Sequence, residues 1–309
     1  MKKKHLATLA AAATALALTA CSSGNPLASS APASSAPASS AAAISVVVGS
    51  ANFPESEILA DIYAGALKAK GVTVSTKLNI ASRETYVPAL KSGEIDLIPE
   101  YTGGFSKYLN ADADTSTEAA ALASLKSLLP DNLTALEPSA AQDKDSITVT
   151  RATADKYSLK TIEDLAPVAS QFVLGGPPEW KNRALGVPGL KKTYGLTFKD
   201  FKALDVAGPL TVQALKNGQV QAANLFTTDP SIKANDFVSL EDTKQFFGAQ
   251  NVIPVIQKSK ATPEVTAALN AVSAKLTTDA LAAMVTKVVI DKDDAATVAA
   301  EFLSTNGLG

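Results

Sequence analysis

Two aromatic-threonine steps lie 125 residues apart, Tyr101-Thr102 and Phe226-Thr227, each after a short apolar run that reads as a strand. They end a longer weak repeat in which Ala89-Leu90-Lys91-Ser92-Gly93-Glu94-Ile95 matches Ala214-Leu215-Lys216-Asn217-Gly218-Gln219-Val220 at the same offset. In each copy a helix stops at a glycine suited to a left-handed C′ position, and a strand follows. Open parallel sheets bind ligands at the carboxyl ends of their strands. Two such ends facing each other form a cleft with a π face and a hydroxyl on each side.

The other chemistry on offer is narrow. The only histidine, His5, and the only cysteine, Cys21, both lie near the N-terminus. The remaining chain therefore has no residues for imidazole-assisted hydrolysis or for the usual zinc and copper sites. Carboxylates such as Glu55, Glu100 and Asp145 are left for acid-base work or for a hard cation. A non-enzyme without cofactor or metal is expected, and an exported enzyme working through those carboxylates is the rival class. Three of the 28 basic residues and no acidic residue precede residue 44, which leaves 25 basic against 30 acidic side chains. A mildly acidic surface argues against nucleic acid as a partner.

Lys2, Lys3 and Lys4 are followed by an uncharged apolar stretch from Leu6 to Leu18, too short for a comfortable membrane span. Residues 1–20 read as an export signal. Its ending, Leu18-Thr19-Ala20-Cys21, resembles the bacterial lipobox, which would make Cys21 the lipidated first residue of the mature protein. Ser, Ala and Pro dominate the following residues to Ala43, so 21–43 should form a flexible tether with too little apolar bulk to order. The expected location is extracytoplasmic, lipid-anchored to the outer face of the cytoplasmic membrane, at the cell surface or in a periplasm. No disulfide can form within the chain, so the fold must rest on its core.

From Ile44 to Gly309 the chain is long enough for two lobes. Strands are expected at Ile44–Val48, Glu94–Ile98, Ile147–Thr150, Phe172–Leu174, Val220–Leu225 and Val252–Ile256. Helices are expected at Ser56–Ala69, Thr85–Lys91, Thr117–Leu129, Thr211–Lys216 and in Ala-rich segments from Pro263 onward. Alternating strands and helices give an α/β architecture.

Three motifs carry a resemblance: Gly49-Ser50-Ala51-Asn52-Phe53-Pro54-Glu55-Ser56; Pro88 to Asp96 with Glu100-Tyr101-Thr102-Gly103; and Gly175-Gly176-Pro177-Pro178-Glu179 with Pro188-Gly189-Leu190. Together they resemble the osmoprotectant-binding lipoproteins, the glycine betaine, choline and carnitine receptors of ABC importers. The resemblance implies a type II periplasmic-binding-protein fold, with two α/β lobes joined by two crossing strands and a ligand cleft between them. Lobe 1 would comprise 44–147 with 252–309, and lobe 2 would comprise 148–251. The implied partners are a small solute, an ABC permease and its ATPase subunit. Alternatives within the same class are ergothioneine or another polar zwitterion as ligand, and a sensory binding protein that transports nothing.

A quaternary ammonium has no proton to donate, so carboxylates, carbonyl dipoles and aromatic faces must hold it. Tyr101 matches the family's tyrosine, and Phe226 stands where relatives often carry tyrosine. Trp180 and Phe53 are further ring candidates. Ser146 replaces a ring that many relatives carry, and Asp145 beside it offers negative charge instead. For a ligand carboxylate the candidate donors are Asn52, Arg83, Arg183, Thr102 and Thr227. Glu55 and Glu57 read as acids complementing a helix N-terminus.

Overall fold

The computed structural model describes residues 44–309; the export signal, Cys21 and the tether to residue 43 lie outside the described residues. Ten strands form two mixed sheets of five. The first sheet contains β1 (Ser45–Gly49), β2 (Thr73–Lys77), β3 (Leu97–Tyr101), β4 (Leu133–Ala135) and β10 (Val252–Gln257), in the order β2-β1-β3-β10-β4. The second contains β5 (Asp145–Thr150), β6 (Val173–Gly176), β7 (Asp200–Ala203), β8 (Ala222–Phe226) and β9 (Phe237–Ser239), in the order β7-β6-β8-β5-β9. The two orders are equivalent. In each sheet three strands run parallel, and a strand arriving from elsewhere in the sequence inserts antiparallel beside the third.

The central strands are buried on both faces, and so they read as largely apolar runs, interrupted by the buried Glu100 in β3 and Asn224 in β8. Side chains alternate across them. Val252 and Ile256 of β10 pack with helix Pro54–Ala69 (α1), whereas Ile253 and Val255 pack with helix Arg83–Ser92 (α2) and Phe105. Each sheet thus has a separate apolar cluster on each face, four in all.

The 125-residue repeat is structural. β3 and β8 occupy equivalent residues at that offset and equivalent places in their sheets. Gly93 and Gly218 both have positive φ, at 80° and 70°. The next residue in each copy, Glu94 or Gln219, donates its N–H to Ala89 or Ala214 at 2.9 Å. This closes the helix and aims the following strand. The turn reaches further than its composition suggests: Ile95 N–H also bonds Ala89, and β3 starts at Leu97 rather than Glu94.

The expected lobe boundary at 147 falls inside β5, all of which belongs to the second sheet. The chain therefore crosses ahead of Asp145, and it crosses back ahead of Val252. The two crossing segments touch each other through an antiparallel bridge between Gln142 and Asn251. Helix Thr102–Leu109 (α3) bears on the second crossing. Gly104 N–H donates to Gln250 Oε1 at 2.7 Å, and a Cβ at Gly103 would stand 2.3 Å from the Ala249 carbonyl oxygen. Backbone meets backbone there and cannot yield cheaply. Gly103→Ala should lower stability by roughly 1–3 kcal/mol, read as a lower urea midpoint at unchanged slope. An unchanged midpoint would show that α3 does not bear on the crossing segment.

Candidate functional site

The carboxyl ends of β1, β3, β6 and β8 converge on a cavity of about 70 Å³, lined from both sheets by side chains that include Phe53, Tyr101, Asp145, Trp180, Asn224 and Phe226. Three rings meet in it. Phe53, leading into α1, lies 5.2 Å from Phe226 and 6.3 Å from Tyr101, centroid to centroid. Phe53 therefore stands between the two repeat-related rings. Both of those rings also share a register: Tyr101 lies opposite Val252, the first residue of β10, and Phe226 lies opposite Asp145, the first residue of β5. Trp180 is buried and stacks on Phe247 at 6.1 Å, so it serves the second lobe's core as well as the cavity wall.

The polar lining holds three carboxylates, Asp143, Asp145 and Glu179, and two arginines, Arg83 and Arg183, with Glu55 buried outside it. Glu55 is 3% exposed, with Oε1 accepting from the Tyr101 hydroxyl at 2.6 Å and Oε2 from the Thr228 hydroxyl at 2.7 Å. Tyr101 ends a strand of the first sheet, and Thr228 follows one of the second, so this carboxyl ties the sheets together. Asp143, on the first crossing, accepts from the Thr227 hydroxyl at 3.1 Å and the Thr228 N–H at 3.0 Å. Burial outweighs these hydrogen bonds and pushes Glu55 up to about 7, and it pushes Asp143 well above the usual carboxylate range. The Glu55 charge adds to burial in raising Asp143. Burial also raises Asp145, against the opposing pull of the Asn224 amide and of Arg83.

Both candidate arginines are engaged. Arg83 grips the fully buried Glu100 with Nε at 3.0 Å and Nη2 at 2.8 Å, and Tyr86 and the Tyr101 N–H complete that carboxylate's bonding. Removing one partner of such a buried pair costs about 3–5 kcal/mol, because the other charge is left uncompensated. Arg183 makes a two-point pair with Glu84 of α2, at 3.0 and 2.7 Å. Against partial burial, hydrogen bonds from Arg183 and Ser82 hold Glu84 at about 2. The Arg183–Glu84 pair joins the lobes across the cleft mouth.

Asn52 lines the cavity and is exposed at its edge. Thr102 and Thr227, expected as ligand donors, lie outside this cavity. The Thr102 hydroxyl donates to Ala249 and accepts from Asn251 N–H, clamping the second crossing. Thr227 donates to Asp143 and accepts from Lys144 N–H, clamping the first. Glu55 is the converse case. An acid one residue past Pro54 matches helix-dipole pairing, and nothing in its neighbours marks it as buried between lobes. Among the described residues no group of three or more His, Cys, Asp or Glu is arranged to hold a metal, and no helix is long and apolar enough to cross a membrane.

Residues 44–305 match the family model described as the substrate binding domain of ABC-type glycine betaine transport system. The chain belongs to this family. It is 27% identical over 276 residues to the glycine betaine-binding protein YehZ of Escherichia coli strain K12, covering 85% of this chain and 90% of that one. It is 26% identical over 268 residues to the ergothioneine transport permease/ergothioneine binding protein EgtU of Helicobacter pylori strain G27, covering 85% of this chain and 48% of that longer protein. A crystal structure of a glycine betaine/carnitine/choline ABC transporter protein superposes with a TM-score of 0.67 at 24% identity, covering 85% of this chain and 99% of that one, and shares the two-lobed fold. The resemblance read from the sequence motifs and the type II architecture both hold for this substrate-binding domain.

Proton linkage at Glu55 gives a testable pH dependence. Its pKa is raised from 4.5 to about 7, so within that window the folded chain binds a proton that the unfolded chain has lost. Stability must then fall as pH rises through the window, by at most about 1.4 kcal/mol per pH unit for one group. Thermal unfolding midpoints from about pH 5 to about pH 8 should decline in the parent protein and stay flatter in Glu55→Gln, whose amide imitates the protonated carboxyl. Equal slopes would assign the effect to other groups.

Proposed function

We propose that this chain is the extracytoplasmic receptor of an ABC importer. It captures a small quaternary-ammonium solute of the glycine betaine, choline or carnitine type by lobe closure and delivers it to a permease driven by an ATPase subunit. The observation that carries this reading is Phe53 in contact with Phe226 and within reach of Tyr101, beside the unneutralised carboxylate of Asp145. Arg83 and Arg183 are matched by Glu100 and Glu84, so the cavity keeps a negative balance that suits a cation. Each well-placed ring contributes about 0.5–2 kcal/mol toward a cationic head group, more as water is excluded. The family gives the receptor role, and its members' solutes support the choice of ligand class.

Calorimetric titration of the purified chain with glycine betaine, choline, carnitine and ergothioneine tests the reading. Phe53→Leu and Phe226→Leu should each weaken binding by on the order of 1 kcal/mol or more, because they keep apolar bulk and lose the π face. Phe226→Tyr should bind at least as well as the parent. Leucine variants that fold and bind every solute as the parent does would return these rings to a packing role.

We also propose that Cys21 carries a lipid, on the strength of the lipobox-like string and the Ser/Ala/Pro tether after it. Stable anchoring takes more than one acyl chain, so a Cys21→Ser variant should leave the membrane fraction. Full membrane retention of that variant, with no lipid on the parent by mass spectrometry, would refute the anchor.

A further inference from the structure

Asn224 is fully buried on β8 and lines the cavity between the lobes. Its Nδ2 donates to Asp145 Oδ1 at 2.8 Å. A carboxylate accepts only, so this bond fixes which end of the amide is nitrogen. Asn224 Oδ1 is then left with no hydrogen-bond partner among the described residues, although it is buried. Buried side-chain acceptors are nearly always satisfied, and an unsatisfied one on a residue that lines a ligand cavity calls for a partner.

Asp145 is its neighbour on the same wall. Only its Oδ1 takes part in a hydrogen bond among the described residues, the one from Asn224. The guanidinium groups nearby make no hydrogen bond to Asp145: Arg83 directs Nε and Nη2 at Glu100, and Arg183 directs Nε and Nη2 at Glu84. The amide and the carboxylate, joined to each other by one hydrogen bond, therefore each keep an unengaged acceptor, Asn224 Oδ1 and Asp145 Oδ2, on the wall where Phe226 lies opposite Asp145 in the β5–β8 pair.

From this geometry we infer that Asn224 and Asp145 form a subsite for a hydrogen-bond donor on the ligand, an O–H or N–H separate from its cationic head. The inference rests on the receptor reading above and narrows it. Glycine betaine has no donor at all, so it would bring only methyl groups and a carboxylate to this wall. Choline and carnitine carry a hydroxyl, and ergothioneine carries ring N–H groups. A pocket built around a hydrogen bond discriminates strongly against an analogue that leaves its polar groups unpaired. The cost is greater when the analogue also displaces water from them.

The test is titration of the purified parent, Asn224→Ala and Asp145→Asn against three arms: glycine betaine; choline, carnitine and ergothioneine; and L-histidine and L-arginine as donors without a quaternary ammonium. Thermal unfolding confirms that each variant is folded. The expected result is at least a tenfold preference of the parent for a donor-bearing quaternary amine over glycine betaine. In Asn224→Ala the preference for that solute over glycine betaine should shrink tenfold or more, whatever the variant does to cationic heads in common. Asp145→Asn separates the donor from the charge: it should weaken glycine betaine as well, because every cationic head loses the carboxylate. Glycine betaine bound as tightly as the donor-bearing solutes, or an Asn224→Ala variant with an unaltered ratio, overturns the subsite and leaves the receptor reading standing. Binding confined to the amino acids and lost in Asn224→Ala keeps the subsite and overturns the quaternary-ammonium reading. Absence of binding in all three arms overturns both.

Discussion

The structure turns on one buried carboxyl group. Glu55 sits between the sheets with a hydroxyl from each, Tyr101 on one side and Thr228 on the other. An acid in that position is tolerable only if both oxygens are satisfied and its charge is shared or suppressed. The surrounding design follows from that requirement. Burial holds Glu55 and Asp143 toward their neutral forms, Thr227 and the Thr228 N–H hold Asp143, and Thr102 secures the other crossing segment against Ala249 and Asn251. These polar residues thus serve the joint between the lobes, and the rings, Asp145 and Asn224 are left to face a solute.

Charge is distributed by the same logic. Arg83 and Arg183 are the cations of this region, and each is spent on a glutamate of the first lobe. The Arg83 pair is deep and rigid, with Tyr86 and the Tyr101 backbone completing the bonding of Glu100. The Arg183 pair lies at the rim, with Glu84 nearly half exposed, where solvent and salt reduce an ion pair to about 0–1 kcal/mol. One interaction fixes a wall and the other makes a weak clasp that opens and closes at little cost. A receptor that must release its ligand needs both.

Much of the fold is legible in the sequence because the central strands β1, β3, β8 and β10 are buried on both faces and must be written largely in apolar residues. The Gly93 and Gly218 turns, with the same backbone hydrogen bonds after each, make the internal duplication readable as well. Among the edge strands, β4 and β9 are only three residues long, and β2 and β7 are largely exposed, so neither pair forms an apolar run of strand length. At the site, the aromatic positions could be read from their place after strands. The pairings could not. Whether Arg183 meets Glu84, whether Glu55 is buried, and which threonine caps a crossing segment all depend on contacts between residues 83 to 173 positions apart in the chain.

The duplicated topology has a further consequence. The two lobes present the same scaffold to the cleft, and in each an aromatic residue stands opposite the first residue of the inserted strand. That opposite residue is Val252 in one lobe and Asp145 in the other. The frame is pseudo-symmetric but its chemistry is not, because Val252 is buried in the core of the first lobe whereas Asp145 lines the cavity. A solute with distinct ends fits such a frame in one sense only, so the cleft sorts its contents by orientation as well as by size.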